Sequence, residues 1–386
     1  MIGIQKVSSS VLFGTVVALL IGIPSSAFAW EKHQSLSRWI VAPSEDTSLN
    51  LIWEKEIPLT CGDLTSPLIQ SLALHEKTHL PKLFPDKKCG TTVPLREVLQ
   101  AGILDEPDHG MDEDLPDSAD PDSYRTWMGG KTGPTSKGFR HMYFGGWKLH
   151  SPLATFQIPF GAIGASPRRV ELLVTEARRL IRARELFWGV RVLGWALHYV
   201  QDLAQPFHSA QLPSLAMVPW SAPWDALHAE GVKAAFPALV RETTRTIANY
   251  HWAFEEATYQ ELQTPGKSAF SDCLSVPEKT FQSEFKEGYA DTTLNSPEAL
   301  ARAVAAHSVK LAPEVGRAVY GYFGSALKEP GIDLARNRGT PDYQKLATDL
   351  RLKTAREKLI QVSCKALAQA VVASRALVRF TLSERP

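Results

Sequence analysis

The sequence is short of charge imbalance, cysteine and long apolar runs, and each shortage excludes something. Its 386 residues carry 42 Lys plus Arg against 41 Asp plus Glu, a formal net charge of +1. So balanced a chain has no global field to attract a polyanion, which argues against a dedicated nucleic-acid binder. There are only four cysteines, Cys61, Cys89, Cys273 and Cys364. They allow three pairings, of which Cys61–Cys89 with Cys273–Cys364 is the simplest. The one extended apolar run, "VLFGTVVALLIGI", lies near the start and is too short for a comfortable membrane span. Lys6 precedes it, and Pro24 and the small-residue ending Ala27-Phe28-Ala29 follow it. That pattern predicts a signal peptide over residues 1–29, cleaved before Trp30, and an exported mature chain. Export suits paired rather than reduced cysteines. No internal repeat or long linker is present, so residues 30–386 are expected to form one domain.

What the chain does have is helix. Residues 166–198 form one long amphipathic pattern opening "SPRR", with Ser166 as cap and Pro167 as first helical residue. Residues 297–323 and 341–382 repeat that style, rich in Ala, Leu, Glu, Lys and Arg. Upstream, "RWIVAP" and "LIWEKEIPL" read as short strands or extended loops, and "TWMGGKTGPTSKGF" as loop. The expected class is mostly α, with loop-rich insertions in the N-terminal third. Arg168, Arg169, Arg178, Arg179, Arg182 and Arg184 give the long helix a basic cast. Interleaved Glu171, Glu176 and Glu185 make this a solvated face, with an approach to anionic lipid as the second reading.

Ligand-type residues cluster in "LHYVQDLAQPFHS". His198 and Asp202 are four apart and share a helix face. Pro206 should end that helix, leaving His208 just beyond it to turn toward a second centre. "YHWAFEEA" places His251 and Glu255 four apart in the same way, "RHMYFGGW" carries His141, and Trp30 and His33 open the mature chain. "QAGILDEPDHGMDEDLPDSADPD" supplies Asp105, Glu106 and Asp108 but lacks the glycine-containing spacing of a calcium loop. Singly, each has a bland account as a surface or half-buried polar residue. Together they are a His- and carboxylate-rich metal set, unlike the cysteine-rich, closed set of a structural zinc site.

The arrangement His198-x3-Asp202-x5-His208, followed by His251-x3-Glu255, resembles the bacterial zinc-dependent phospholipase C family, whose fold and three-zinc centre are shared with fungal single-strand-specific nucleases. Trp30, His33 in "HQSLSR", Asp105 in "GILDE" and His141 in "HMYF" are similar to the family's upstream pieces, and the resemblance runs from Trp30 to about Glu255. It implies three zinc ions. One would be held by Asp105, His141, His198 and Asp202. A second would take the amine and carbonyl of Trp30 with His33, sharing Asp202 as a bridge, and the third would use His208, His251 and Glu255. His228 lies in the long gap before His251, but His251 is preferred because Phe254 and Glu255 follow it. Glu106 or Asp108 remain alternatives to Asp105, and His75 or His79 to His33.

The resemblance further implies zinc-activated water attacking a phosphodiester, with Asp105 as candidate general base and Asp202 as the bridging carboxylate. A phospholipase C would release diacylglycerol and a phosphorylated headgroup. It would act on phosphatidylcholine-type lipid at a membrane or micelle surface, as a monomer, without a stable nucleic-acid partner. Glu31, Glu106, Phe139 and Tyr143 are candidate headgroup contacts through carboxylates and ring faces. The alternative is a nuclease or nucleotidase, stacking a base on Tyr143 or Phe144.

Overall fold

Residues 186–204 read "LFWGVRVLGWALHYVQDLA", with only Arg191 and Asp202 among them formally charged at neutral pH. A helix so apolar on all sides belongs inside, and in the computed structural model of the chain it is central. The structure describes residues 33–60, 83–109, 140–145, 148–150, 155–157, 162–210, 212–263, 268–284, 296–334 and 339–383. The expected signal peptide, Trp30, Glu31, Cys61, His75, His79, Phe139 and the loop at 126–138 lie outside the described residues.

In chain order, a 3-10 turn at His33–Leu36 runs into α1 (Ser37–Ile40), followed by α2 (Thr47–Trp53), β1 (Glu56–Pro58), β2 (Thr92–Pro94) and α3 (Leu95–Gln100). A second 3-10 turn, Ile103–His109, precedes β3 (Lys148–His150) and β4 (Thr155–Gln157). Then come α4 (Ser166–Arg182), α5 (Leu186–Ala204), α6 (Pro206–Ser209), α7 (Ala222–Glu230) and α8 (Val232–Gln263). The chain ends with α9 (Ser271–Ser275), α10 (Pro277–Glu284), α11 (Pro297–Phe323), α12 (Tyr343–Thr348) and α13 (Lys353–Leu382). The protein is mostly helical. Its described strands make two antiparallel ribbons, β1 with β2 (Ile57 opposite Val93) and β3 with β4 (Leu149 opposite Phe156).

Every residue of α5 from Phe187 to Ala204 is buried, and α4, α11, α13 and the Ile103–His109 turn pack around it. One hydrophobic cluster extends from Leu36 to Val378. Gly194 lets the Ile103–His109 turn approach: a Cβ there would collide with the side chain of Ile103. Gly194 lies one helical turn before His198, so the same close approach delivers the Leu104 carbonyl to the His198 ring.

Four local expectations are corrected. The pattern over 166–198 is two helices, because Arg184 adopts a left-handed backbone (φ 68°) and the chain turns between α4 and α5. Ser166 is the first helical residue rather than the cap, which is Ala165, and its hydroxyl donates to the Tyr199 carbonyl. "RWIVAP" contributes to α1, and in "LIWEKEIPL" only Glu56–Pro58 is strand, since Asp46 caps α2 by accepting from the Ser48 and Leu49 amides. Residues 341–382 likewise divide into α12, a 3-10 turn at Leu350–Leu352 and α13. Pro297–Phe323 is helical as expected, with the Ser296 side chain accepting from the Ala299 amide. Of the basic side chains from Arg168 to Arg184, Arg169 is buried over the Tyr199 ring, while Arg168, Arg179, Arg182 and Arg184 are exposed.

Cys273 and Cys364 form a disulfide that joins α9 to α13. Cys89 is also disulfide-bonded. No helix among the described residues is long and apolar enough to cross a membrane.

Candidate metal centre

Four chain segments converge on α5. The end of α5 brings His198 and Asp202 to one face, four residues apart. Gln205 then leaves the helix in an extended conformation, and Pro206 starts α6, so that His208 sits in its own short turn rather than in a loop. The segment 140–145 is tied alongside by Tyr143 N to the His208 carbonyl at 2.9 Å and Phe144 N to the Ile163 carbonyl at 2.7 Å. This positions His141. The first 3-10 turn supplies His33, and α8 supplies His251 and Glu255.

Asp202 is fully buried, and its two oxygens face different imidazoles. Oδ2 lies 2.7 Å from His141 Nδ1 and 3.4 Å from His198 Nε2. Oδ1 lies 3.2 Å from His33 Nε2 and 3.9 Å from His208 Nδ1. Beyond it, Glu255 Oε1 is 2.8 Å from His251 Nε2 and 3.4 Å from His208 Nε2. Two buried groups, His33–His198–Asp202 and His208–His251–Glu255, could each hold a metal ion. His141 closes on the first through the same carboxylate, and the Phe207 ring stacks on that of His251 at 5.3 Å.

Proton placement follows from the partners. A carbonyl or amide oxygen can only accept, so each ring nitrogen facing one carries the hydrogen. His198 Nδ1 therefore donates to the Leu104 carbonyl at 2.7 Å, and His208 Nδ1 to the His141 carbonyl at 2.9 Å. Both rings are left with an Nε2 lone pair aimed at the centre, the arrangement that imidazole metal ligands need. Asp202 Oδ1, His208 Nε2 and Glu255 Oε2 are buried and make no hydrogen bond among the described residues. Leaving such atoms unsatisfied costs about 1–3 kcal/mol each. A cation among them removes that cost, so the donor set fits a metal.

The remaining sequence candidates separate. Asp105 is half-buried and accepts from the Gln34 amide at 2.8 Å, which places it beside His33. Glu106 is neither a ligand nor a headgroup contact: Arg191 grips its carboxylate, Nε to Oε2 at 2.9 Å, and Trp195 Nε1 donates to it at 2.6 Å. Tyr143 is buried, and Arg302 donates to its hydroxyl. Phe144 is buried too. His228 lies exposed on α7, its ring turned back on the Trp224 carbonyl at 2.6 Å. The side chain of Asp108 lies outside the described residues.

Gln201 and Gln205 belong to the site but were not singled out from the sequence. Gln205 caps α6, and its amide donates to Glu255 Oε1 at 2.9 Å. The Gln-Pro step at the helix exit was the only sequence hint of that cap.

Burial holds His198 well below the ordinary imidazole value, with the neighbouring His33 adding to it, and burial lowers His251 too. Burial alone would raise Asp202 and Glu255, but the surrounding imidazoles outweigh it and hold both carboxyls low. These shifts fix a sign. Unfolded imidazoles bind protons as pH falls through about 6.5 while His198 and His251 resist, so the unfolded chain gains protons first and stability falls. The two depressed carboxyls add a further loss below about pH 4. Metal-free protein should therefore melt at a lower temperature at pH 5 than at pH 7, as measured by thermal scans in chelator. Equal melting temperatures at both would mean the rings are solvated.

Neither a family model, nor a curated protein, nor a solved structure matches the chain.

Proposed function

We propose that the chain is an exported, three-zinc phosphodiesterase acting as a phospholipase C. The observation that carries this reading is Asp202, one buried carboxylate presenting each oxygen to different imidazoles, with a second His/His/Glu group adjoining it. A close set of metals with a shared carboxylate suits phosphate-ester hydrolysis, and the spacing of the ligands resembles the zinc phospholipase C pattern from Trp30 to Glu255. The Cys273–Cys364 disulfide and the signal-like start support export.

His141, His198 and Asp202, with Asp105, would hold one zinc. His33 and Asp202, with the amine of Trp30, would hold the second, and His208, His251 and Glu255 the third. Bound zinc would supply a hydroxide near neutral pH and polarise the phosphoryl oxygens. Asp202 stays ionised and fixes the spacing of its ligand partners. Asp105 is half-buried where the ligand side chains are enclosed, so it is the carboxylate able to take a proton from the attacking water. Gln205 keeps Glu255 turned toward His208 and His251.

A lipid substrate is favoured by the segment between α6 and α8. Trp220 is 46% and Trp224 63% exposed there, and Val232, the first residue of α8, is 79% exposed. Exposed indoles are costly in water and favourable at a lipid headgroup boundary. The near-neutral charge suits a zwitterionic surface better than a polyanion.

The test is to compare purified, zinc-loaded protein on phosphatidylcholine vesicles and on single-stranded DNA, with metal analysis of the same sample. We expect close to three zincs per chain, phosphorylcholine release and little DNA cleavage. Trp220→Ala/Trp224→Ala should weaken vesicle binding while leaving hydrolysis of a monomeric short-chain lipid near the parent rate. DNA cleavage with inert vesicles would move the assignment to a nuclease, and full activity in EDTA would remove the metal reading.

A further inference from the structure

The role of the C-terminal helix emerges at residues 374 and 375: Arg375 touches the N-terminal segment directly, and Ser374 reaches it through Gln201 of α5. Arg375 is 3% exposed. Its guanidinium donates to three main-chain carbonyls near the end of α1: Nε to Ile40 at 3.1 Å, and Nη2 to Trp39 at 2.8 Å and Ala42 at 3.0 Å. Nη1 reaches Glu278 Oε1 at 2.6 Å. Helix-end carbonyls lack intrahelical donors, and a cation there also complements the helix dipole. The seat of residues 39–42 is thus set by α13.

The other end of the same segment is His33. Gln201, fully buried on α5 beside Asp202, lies between it and α13: its Nε2 donates to Ser374 Oγ at 3.3 Å, and its Oε1 lies 3.0 Å from His33 Nδ1. With the amide nitrogen engaged by Ser374, its oxygen is left to face the ring, and an amide oxygen only accepts. His33 Nδ1 must therefore carry the hydrogen, which leaves the Nε2 lone pair on the side of Asp202 Oδ1, 3.2 Å away. His198 and His208 have main-chain carbonyls for this purpose, whereas His33 depends on a side chain.

We infer that Gln201 is the positioning residue of the His33 ligand, fixing its tautomer and ring plane, and that Ser374 and Arg375 of α13 are the frame against which Gln201 and the 33–42 segment are set. The inference rests on the reading that these imidazoles bind zinc. Partners that orient a metal-binding imidazole typically contribute about 10–100-fold in metal affinity. A glutamine in this position can be replaced by glutamate, which keeps the acceptor, or by methionine, which keeps the length and removes it.

The experiment uses the full chain and zinc alone, with no substrate. Stepwise zinc affinities are measured by competition against a chromophoric chelator for the parent, Gln201→Met and Gln201→Glu. We expect Gln201→Met to weaken one zinc by about 10–100-fold and leave the others at parent affinity, with Gln201→Glu restoring most of the loss. A purely structural role would loosen all the zincs together and would not be rescued by glutamate. Ser374→Ala, a milder change that releases only the amide nitrogen, should move the same zinc in the same direction, and it carries the test if Gln201→Met does not fold. Parent-like affinities in both Gln201→Met and Ser374→Ala would overturn the inference, as would a glutamate variant no better than methionine. A parent chain that binds no zinc at all would instead overturn the metal reading, and this inference with it.

Discussion

Asp202→Asn should abolish the proposed phosphodiesterase turnover, lowering it by several orders of magnitude, and should weaken the proposed zinc binding. The substitution keeps the volume of a side chain that is fully buried, so packing is not what it tests. An amide has one acceptor oxygen where the carboxylate has two. Its NH2 group would point hydrogens at nitrogens 2.7 and 3.4 Å away, or 3.2 and 3.9 Å away, depending on its orientation. It also removes the one negative charge shared between the proposed cations, leaving them to repel each other. Zinc per chain by elemental analysis, with kcat on phosphatidylcholine, gives the readout. His251→Ala should be comparably damaging and His228→Ala nearly silent, because the His228 ring is exposed and bonded only within its own helix among the described residues. An asparagine variant with full zinc and near-parent turnover would remove Asp202 from the chemistry.

The largest effect on stability should come from Arg191→Met. Arg191 holds the buried Glu106 with two guanidinium nitrogens and lies over the Trp188 ring at 4.9 Å. Removing one partner of a buried ion pair while the other stays enclosed costs about 3–5 kcal/mol. Glu106 sits in the turn whose Leu104 carbonyl orients His198 and whose Asp105 holds the Gln34 amide. The loss should therefore appear also as weaker zinc binding. Urea unfolding of the metal-free chain measures the first effect. The double variant Arg191→Met/Glu106→Leu should recover much of it, because an apolar pair of similar volume leaves no enclosed charge. A single variant within about 1 kcal/mol of the parent would mean that Glu106 is compensated by other groups.

These two residues show how unevenly the molecule could be read from its sequence. His198 and Asp202 declare themselves, because a four-residue spacing on a helix is a local property. So does the helical span opening at Pro297, which is α11. Glu106 does not: in sequence it is one acid in a run of acids, indistinguishable from Asp105, and it is Arg191 and Trp195, 85 and 89 residues away, that make it structural. The turn at Arg184 was equally hidden, since a left-handed backbone at a residue other than glycine carries no sequence mark. The periodicity of 166–198 therefore reads straight through a break.

What the sequence by itself determined is the helical class, the ligand types and the pairing of His198 with Asp202 and of His251 with Glu255, because periodicity and i to i+4 spacing depend on residues within one or two turns. Tertiary structure decided which ligands share a centre, and which atom of each ring faces it. The groups that set His198, His208 and His33 are the Leu104 carbonyl, the His141 carbonyl and Gln201, at sequence separations of 94, 67 and 168. Two of the three are main-chain oxygens, which every residue carries. A main-chain oxygen has no signature in a sequence, and it acquires a role only when packing carries it to an imidazole.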